Sequence, residues 1–208
     1  MKKILYLLLA GGMFLTACDL TGAKDDKDNN GGKGSGGNGG GGNTVESDEA
    51  SQFSVDLSYT STSPSTDKAS LDIGTLSAVS ASEGDVTLCW QKQFGYIMTS
   101  PDGSIIKQLY QANTVAYNNT KNTTICKLSG AQLSDYDQIS ELNSLTVTSG
   151  SITDIAGKNQ VLVQSGDIIA FQKGSVKGVG QVTGLSKVTK KITFRGYVNT
   201  AANSSTSK

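Results

Sequence analysis

Histidine is absent from all 208 residues. Its absence removes Ser-His-Asp and Cys-His nucleophilic catalysis, and with them every metal site built on imidazole. The side chain that ordinarily moves protons near neutral pH is missing too. Proline occurs only twice, at Pro64 and Pro101, while Ser, Thr and Gly abound. That composition suits a β-rich domain outside the cytoplasm. No apolar run approaches the ~20 residues a membrane-spanning helix requires. Charge of either sign is scarce in excess, since 18 basic and 18 acidic residues cancel.

These absences leave a carboxylate pair, a Ser-Lys dyad or an all-oxygen cation site as conceivable chemistries. The carboxylates have plain structural explanations instead. Asp102, Asp135 and Asp137 lie where helix starts are signalled and acids favour the helix dipole. Asp154 and Asp167 sit beside turns, as Asp commonly does. No catalytic residue, metal ligand or cofactor site is therefore assigned, and the expectation is a protein that is not an enzyme. Gly178, Gly180 and Gly184 lack the spacing and the following helix of a phosphate loop, and are expected as glycines of a curved sheet.

The N-terminus carries more information. Lys2 and Lys3 precede an apolar stretch, Ile4–Ala10, extended by Met13, Phe14 and Leu15. Its length fits a secretory signal core rather than a span. The stretch ends in Leu15-Thr16-Ala17-Cys18, which resembles the lipobox of bacterial lipoproteins. That resemblance implies cleavage after residue 17 and diacylglycerol and palmitate chains on Cys18, which would anchor the protein in a lipid bilayer. Two or more acyl chains hold a protein stably, where one does so marginally. Asp19 resembles an inner-membrane retention signal, whereas Asp25, Asp26 and Asp28 resemble a surface-export signal. Between these conflicting readings the outer membrane of the cell envelope is preferred.

Residues 19–52 are nearly devoid of apolar side chains, and Gly31–Asn43 is almost pure glycine. Such a segment cannot bury enough surface to offset the entropy of ordering, so a disordered tether is expected. Its r.m.s. reach as a flexible coil is roughly 30 Å. Asp26, Asp28, Asn30 and Gly31 match half of an EF-hand loop. Its twelfth position is Gly37 rather than the bidentate Glu, and no helices flank it. The organisation expected is thus a signal peptide at 1–17, lipidated cysteine and tether at 18–52, one folded domain at 53–198 and a tail at 199–208.

Within the domain, Phe53, Val55, Leu57 and Tyr59 alternate with polar residues, as in a half-buried strand. Leu71–Ile73, Val86–Trp90 and Tyr96–Met98 suggest further strands. Ser100, Pro101 and Asp102 predict a helix N-terminus, followed by the apolar face Ile105, Ile106, Leu109 and Tyr110. Ser129 and Gln132 predict a capping box for a second helix through Tyr136, Ile139 and Leu142. Four more strands follow, around Val161–Val163, Ile168–Phe171, Val179–Val182 and Ile192–Val198. The fold class expected is α+β: a β-rich single domain with two short helices and a C-terminal antiparallel meander or small barrel.

Cys89 and Cys126 remain once Cys18 is lipidated. In an oxidising compartment a disulfide between them is the default, and closing that loop would contribute about 4 kcal/mol. Residues 158–208 hold lysines at seven positions plus Arg195, against the single acid Asp167. Lys187, Lys190, Lys191 and Arg195 are the candidate anion-binding patch, suited to an anionic glycan or envelope polymer. No set of base-stacking aromatics accompanies them, so nucleic acid is not an expected partner. Trp90 is expected in the core, and Tyr117 is the aromatic to examine first for exposure. The functional expectation is a membrane-anchored envelope lipoprotein presenting a non-enzymatic binding or scaffolding domain. Its alternatives are a carboxylate- or Ser-Lys-dependent hydrolase of envelope glycan or peptide, and an accessory subunit of an envelope complex.

Overall fold

A computed structural model describes residues 47–201. The signal peptide, Cys18, most of the tether and most of the tail lie outside the described residues. Ten strands and two short helices make up the domain: β1 (Ala50–Ser58), β2 (Ser70–Asp72), β3 (Ser77–Val79), β4 (Val86–Gln91), β5 (Gly95–Thr99), α1 (Ser104–Gln111), β6 (Thr124–Leu128), α2 (Ile139–Ser144), β7 (Gln160–Val163), β8 (Ile168–Lys173), β9 (Val176–Ser186) and β10 (Lys191–Ala201). They form two antiparallel five-stranded sheets, ordered β1-β10-β9-β8-β6 and β3-β2-β4-β5-β7.

The two sheets share one hydrophobic core. Alternation along β1 sends Phe53, Val55 and Leu57 inward, while Ser54 and Asp56 stay exposed. Phe53, Phe171 and Phe194 meet there, with ring centroids 5.3–6.3 Å apart. Such spacings suit the tilted arrangements aromatic rings prefer. In the second sheet, adjacent residues such as Leu88 and Cys89, or Ile97 and Met98, are all buried. The side chains of α1 that enter the same core are Ile105, Ile106 and Tyr110.

A second, smaller core lies under α2. Cys126, Leu128, Ile168, Ala170 and Val179 of the first sheet pack there with Leu142, Tyr136 and Leu145. Ile125 and Ile169 belong to the main core while their neighbours Cys126 and Ala170 belong to the second. This is the period-two alternation of a sheet covered on both faces. The chain entering β1 is tied to α2, because Asp48 accepts the Ile139 amide through its carbonyl at 2.7 Å and the Ser140 amide through Oδ1 at 3.1 Å.

Several expectations need correction. The C-terminal strands do not close into a small barrel, and both sheets remain open. Strands β8, β9 and β10 form the meander, but β7 pairs with β5 in the other sheet. The turn after β7 explains the switch: Asp167 Oδ2 accepts the Gln164 amide at 2.7 Å and Gly166 takes φ +94°, redirecting the chain. Ser100 does not cap α1. It is buried, its Oγ accepts the Thr123 amide at 2.9 Å and so fastens the start of β6, and the helix begins at Ser104. The second capping box forms three residues later than its sequence signal, with Asp135 Oδ2 accepting the Gln132 amide at 3.0 Å ahead of a 3₁₀ turn at Leu133–Tyr136. The segment carrying Cys126 is a strand, β6.

The expected Cys89–Cys126 bridge is not formed, and Cys89 is a free buried thiol. Cys89 faces the main core from the second sheet, opposite Ile97. Cys126 points from the first sheet into the α2 core. Since the two side chains belong to different cores, the thickness of a sheet intervenes.

Candidate functional site

The register of β1 with β10 defines two ends of the molecule. At the entry end Ala50 pairs with Ala201, and at the far end Ser58 pairs with Lys191. At about 3.3 Å per residue, β1 sets these ends roughly 26 Å apart.

The far end collects cations. The β9–β10 hairpin presents Lys187, Lys190 and Lys191, around Val188, whose side chain is 94% exposed. Lys190 adopts φ +51° and places Nζ 4.8 Å from the Trp90 ring centroid, a cation–π contact. Tyr96 donates its hydroxyl to the Ser186 carbonyl, fixing the hairpin to β5. The Tyr59 amide donates to the Lys190 carbonyl at 3.2 Å, and the Ser58 amide to the Lys68 carbonyl at 2.9 Å. These bonds bring Lys68 to the same end. The β4–β5 hairpin adds exposed Lys92. None of these five lysines forms an ion pair among the described residues.

Of the four residues expected to form the patch, three meet at this hairpin. Arg195 does not join them. It stands four residues down β10, exposed on the outer face of the first sheet between Ser54 and Gln181. The sequence reading missed Lys68 and Lys92, since only the strand pairing carries them to the hairpin. The aromatics are less available than expected. Trp90 is half-buried against the main core beneath Lys190. Tyr117 stacks on Tyr110 at 5.0 Å and donates to the Ala81 carbonyl, so it offers no exposed platform.

Two buried carboxylates have contrasting surroundings. Asp85 Oδ1 meets Lys173 Nζ at 2.6 Å and Lys121 Nζ at 3.3 Å, and Oδ2 accepts the Ile73 amide at 2.9 Å. Burial alone would raise its pKa, but the Lys173 ammonium, the Ile73 amide and Lys121 together hold it below the ordinary carboxylate value. Asp67 lies on the other side of that balance. Burial raises its pKa despite hydrogen bonds from the Thr60 amide at 3.1 Å and the Tyr110 hydroxyl at 2.9 Å. Among the described residues no group of three or more acidic or cysteine side chains could hold a metal ion. No helix among them is long and apolar enough to cross a membrane. Comparison with protein-family models, curated proteins and solved structures finds no match for the chain.

Proposed function

We propose that the chain is a lipid-anchored envelope protein whose domain is a non-enzymatic binding module, using its far end to engage an anionic polymer such as an acidic glycan. One observation carries this reading: five lysines that form no ion pair among the described residues, Lys68, Lys92, Lys187, Lys190 and Lys191, gather at the end of β1 opposite its first residue. An anchor at Cys18 would then tether the domain by the end opposite its cationic one, leaving that end free to meet a partner. Clustered like charge raises the local concentration of a polyanion and steers its approach. The half-buried Trp90 ring supports Lys190 from below, restricting one cation before contact.

An accessory subunit would need a contiguous exposed apolar patch, whereas Val188 is the one large hydrophobic side chain exposed among the described residues. A hydrolase would need a free pair of carboxylates in a cleft. A cleft beside Ile73 and Leu76 holds one acid, Asp85, already paired with lysines, and a second cleft lined by Asp48, Glu49 and Asp137 has Asp48 committed to the amide and hydroxyl of Ser140.

The experiment is retention of the full chain on dextran sulfate beads, with uncharged dextran as control. Retention should weaken as salt rises past the Debye screening regime near 0.1 M. It should fall sharply for the Lys187→Glu, Lys190→Glu, Lys191→Glu triple variant. A Lys107→Glu, Lys158→Glu, Arg195→Glu variant, altered away from the hairpin with the same change in net charge, should bind nearly as before. Equal losses in the two variants would reduce the effect to net charge and remove the site. The anchor is tested separately, by palmitate incorporation that should vanish on Cys18→Ala.

A further inference from the structure

We propose that the cleft at the entry end binds a small molecule with an anionic head and a short apolar body. The cleft has a volume of about 400 Å³, within the range of roughly 300–1,000 Å³ typical of small-molecule sites. It opens beside Ser51 and Thr200, where β1 begins and β10 ends. The β2–β3 turn forms one wall with Ile73 and Leu76, and the β8–β9 hairpin forms another with Lys173 and Val176.

The charge balance selects the head group. Asp85 is 2% exposed at the cleft, and its oxygens are committed to Lys173, Lys121 and the Ile73 amide. Two ammonium groups therefore share one carboxylate, leaving a positive charge in excess. An ammonium has three N–H donors, and Lys173, whose side chain is 40% exposed, gives one to Asp85. The remaining donors are available to a carboxylate or phosphate. Asp72, the acid of the same turn, commits Oδ1 to the amide and hydroxyl of Thr75.

The wall composition selects the body. Ile73, Leu76 and Val176 give an aliphatic surface next to that cation. Leu76 is held at φ +52°, a conformation that costs a branched residue energy and concentrates at ligand clamps and other functional positions. The site lies at the end opposite the lysine hairpin and goes beyond the polymer-binding reading, so bead retention does not bear on it.

The test is a titration of the full chain carrying Cys18→Ser, which cannot be acylated, with hexanoate, followed by amide chemical shifts. Hexylammonium, with the same body and opposite charge, is the control. Hexanoate should give saturable shifts at Gly74, Leu76 and Val176 below about 10 mM, where a ligand this small would fall. Lys173→Met should weaken binding about tenfold or more, as expected for a lost charged hydrogen bond. Val176→Ser, which removes part of the apolar wall and adds no charge beside its cross-strand partner Lys173, should weaken it severalfold and guards against misfolding of the first variant. Linear, unsaturated shifts, or equal response to hexylammonium, would overturn the proposal.

Discussion

Lys190 holds its ammonium 4.8 Å from the Trp90 ring centroid, joining the β9–β10 hairpin of one sheet to β4 of the other. The contact should contribute about 0.5–1 kcal/mol at this surface position. Lys190 also sits at φ +51°, a left-handed conformation costing roughly 1–2 kcal/mol for a residue with a Cβ. Replacing it with glycine removes both. Lys190→Gly should change the unfolding free energy by less than about 1 kcal/mol in urea denaturation, yet reduce retention on dextran sulfate. A loss above about 2 kcal/mol would make the hairpin clamp structural rather than a support for binding.

Asp67 should make the domain lose stability as pH rises. Its folded pKa lies above its unfolded value because burial disfavours the charge. Between the two values the folded state binds the extra proton, so stability is greatest below the unfolded value near 3.8 and falls as pH climbs through the folded pKa. Asp67→Asn, which still accepts from Tyr110 and Thr60, should lack that dependence. Denaturation midpoints at successive pH values should show the variant gaining on the parent from pH about 4 upward. Parallel curves would mean that Asp67 ionises in the fold as freely as in the unfolded chain.

Asp85 should act in the opposite sense. Its folded pKa is depressed, so the stability it gives is present above about 3.8 and is lost as pH falls through the folded value. Asp85→Asn leaves Lys173 and Lys121 facing each other without a carboxylate. Removing one partner of a buried pair costs about 3–5 kcal/mol, and the partly exposed lysines reduce this to roughly 2 kcal/mol at pH 7. The deficit should shrink on acidification, which calorimetry below pH about 4 would register.

The strands were legible where one face is wet. Alternation from Phe53 to Tyr59 and from Ile192 to Val198 marked β1 and β10 because their outer residues are polar. Strand β6 was not legible, since Thr124-Ile125-Cys126-Lys127-Leu128 is covered on both faces and shows no clean alternation. Ser100 resembled an N-cap locally, but a long-range bond to Thr123 took its oxygen. The lysine hairpin was partly visible as composition, whereas Lys68 and Lys92 reach it only through pairing between distant segments. The Asp85 cluster, spanning residues 85, 121 and 173, had no sequence signal at all.

Cys89 should be inert in the native protein. It is fully buried, burial pushes its thiol pKa far up, and thiolate is the reactive form. Reaction with a disulfide reagent should therefore be undetectable at this residue until denaturant is added. Cys89→Ser should cost more than Cys89→Ala, because a hydroxyl placed there without a partner is penalised by about 1–3 kcal/mol. Native labelling of Cys89 at neutral pH would contradict the packing of β4 against its neighbours.

Glycines 178 and 180 have a role that can be tested by compensation. A Cβ on Gly180 would lie 2.4 Å from Cε2 and Cζ of Phe194, and one on Gly178 would lie 2.3 Å from Cζ of Phe171. Each ring thus rests over a glycine of β9, the strand between β8 and β10. Gly180→Ala must displace the Phe194 ring, which also packs on Phe53 at 5.3 Å, and overpacking of this kind costs about 1–3 kcal/mol. Phe194→Leu alone leaves a void and is also destabilising. Combined, the smaller Leu should admit the new methyl group, so the double variant should be more stable than the sum of the single losses predicts by about 1 kcal/mol. Additive losses in that cycle would mean that the glycines are there for strand curvature, with the rings free to move aside.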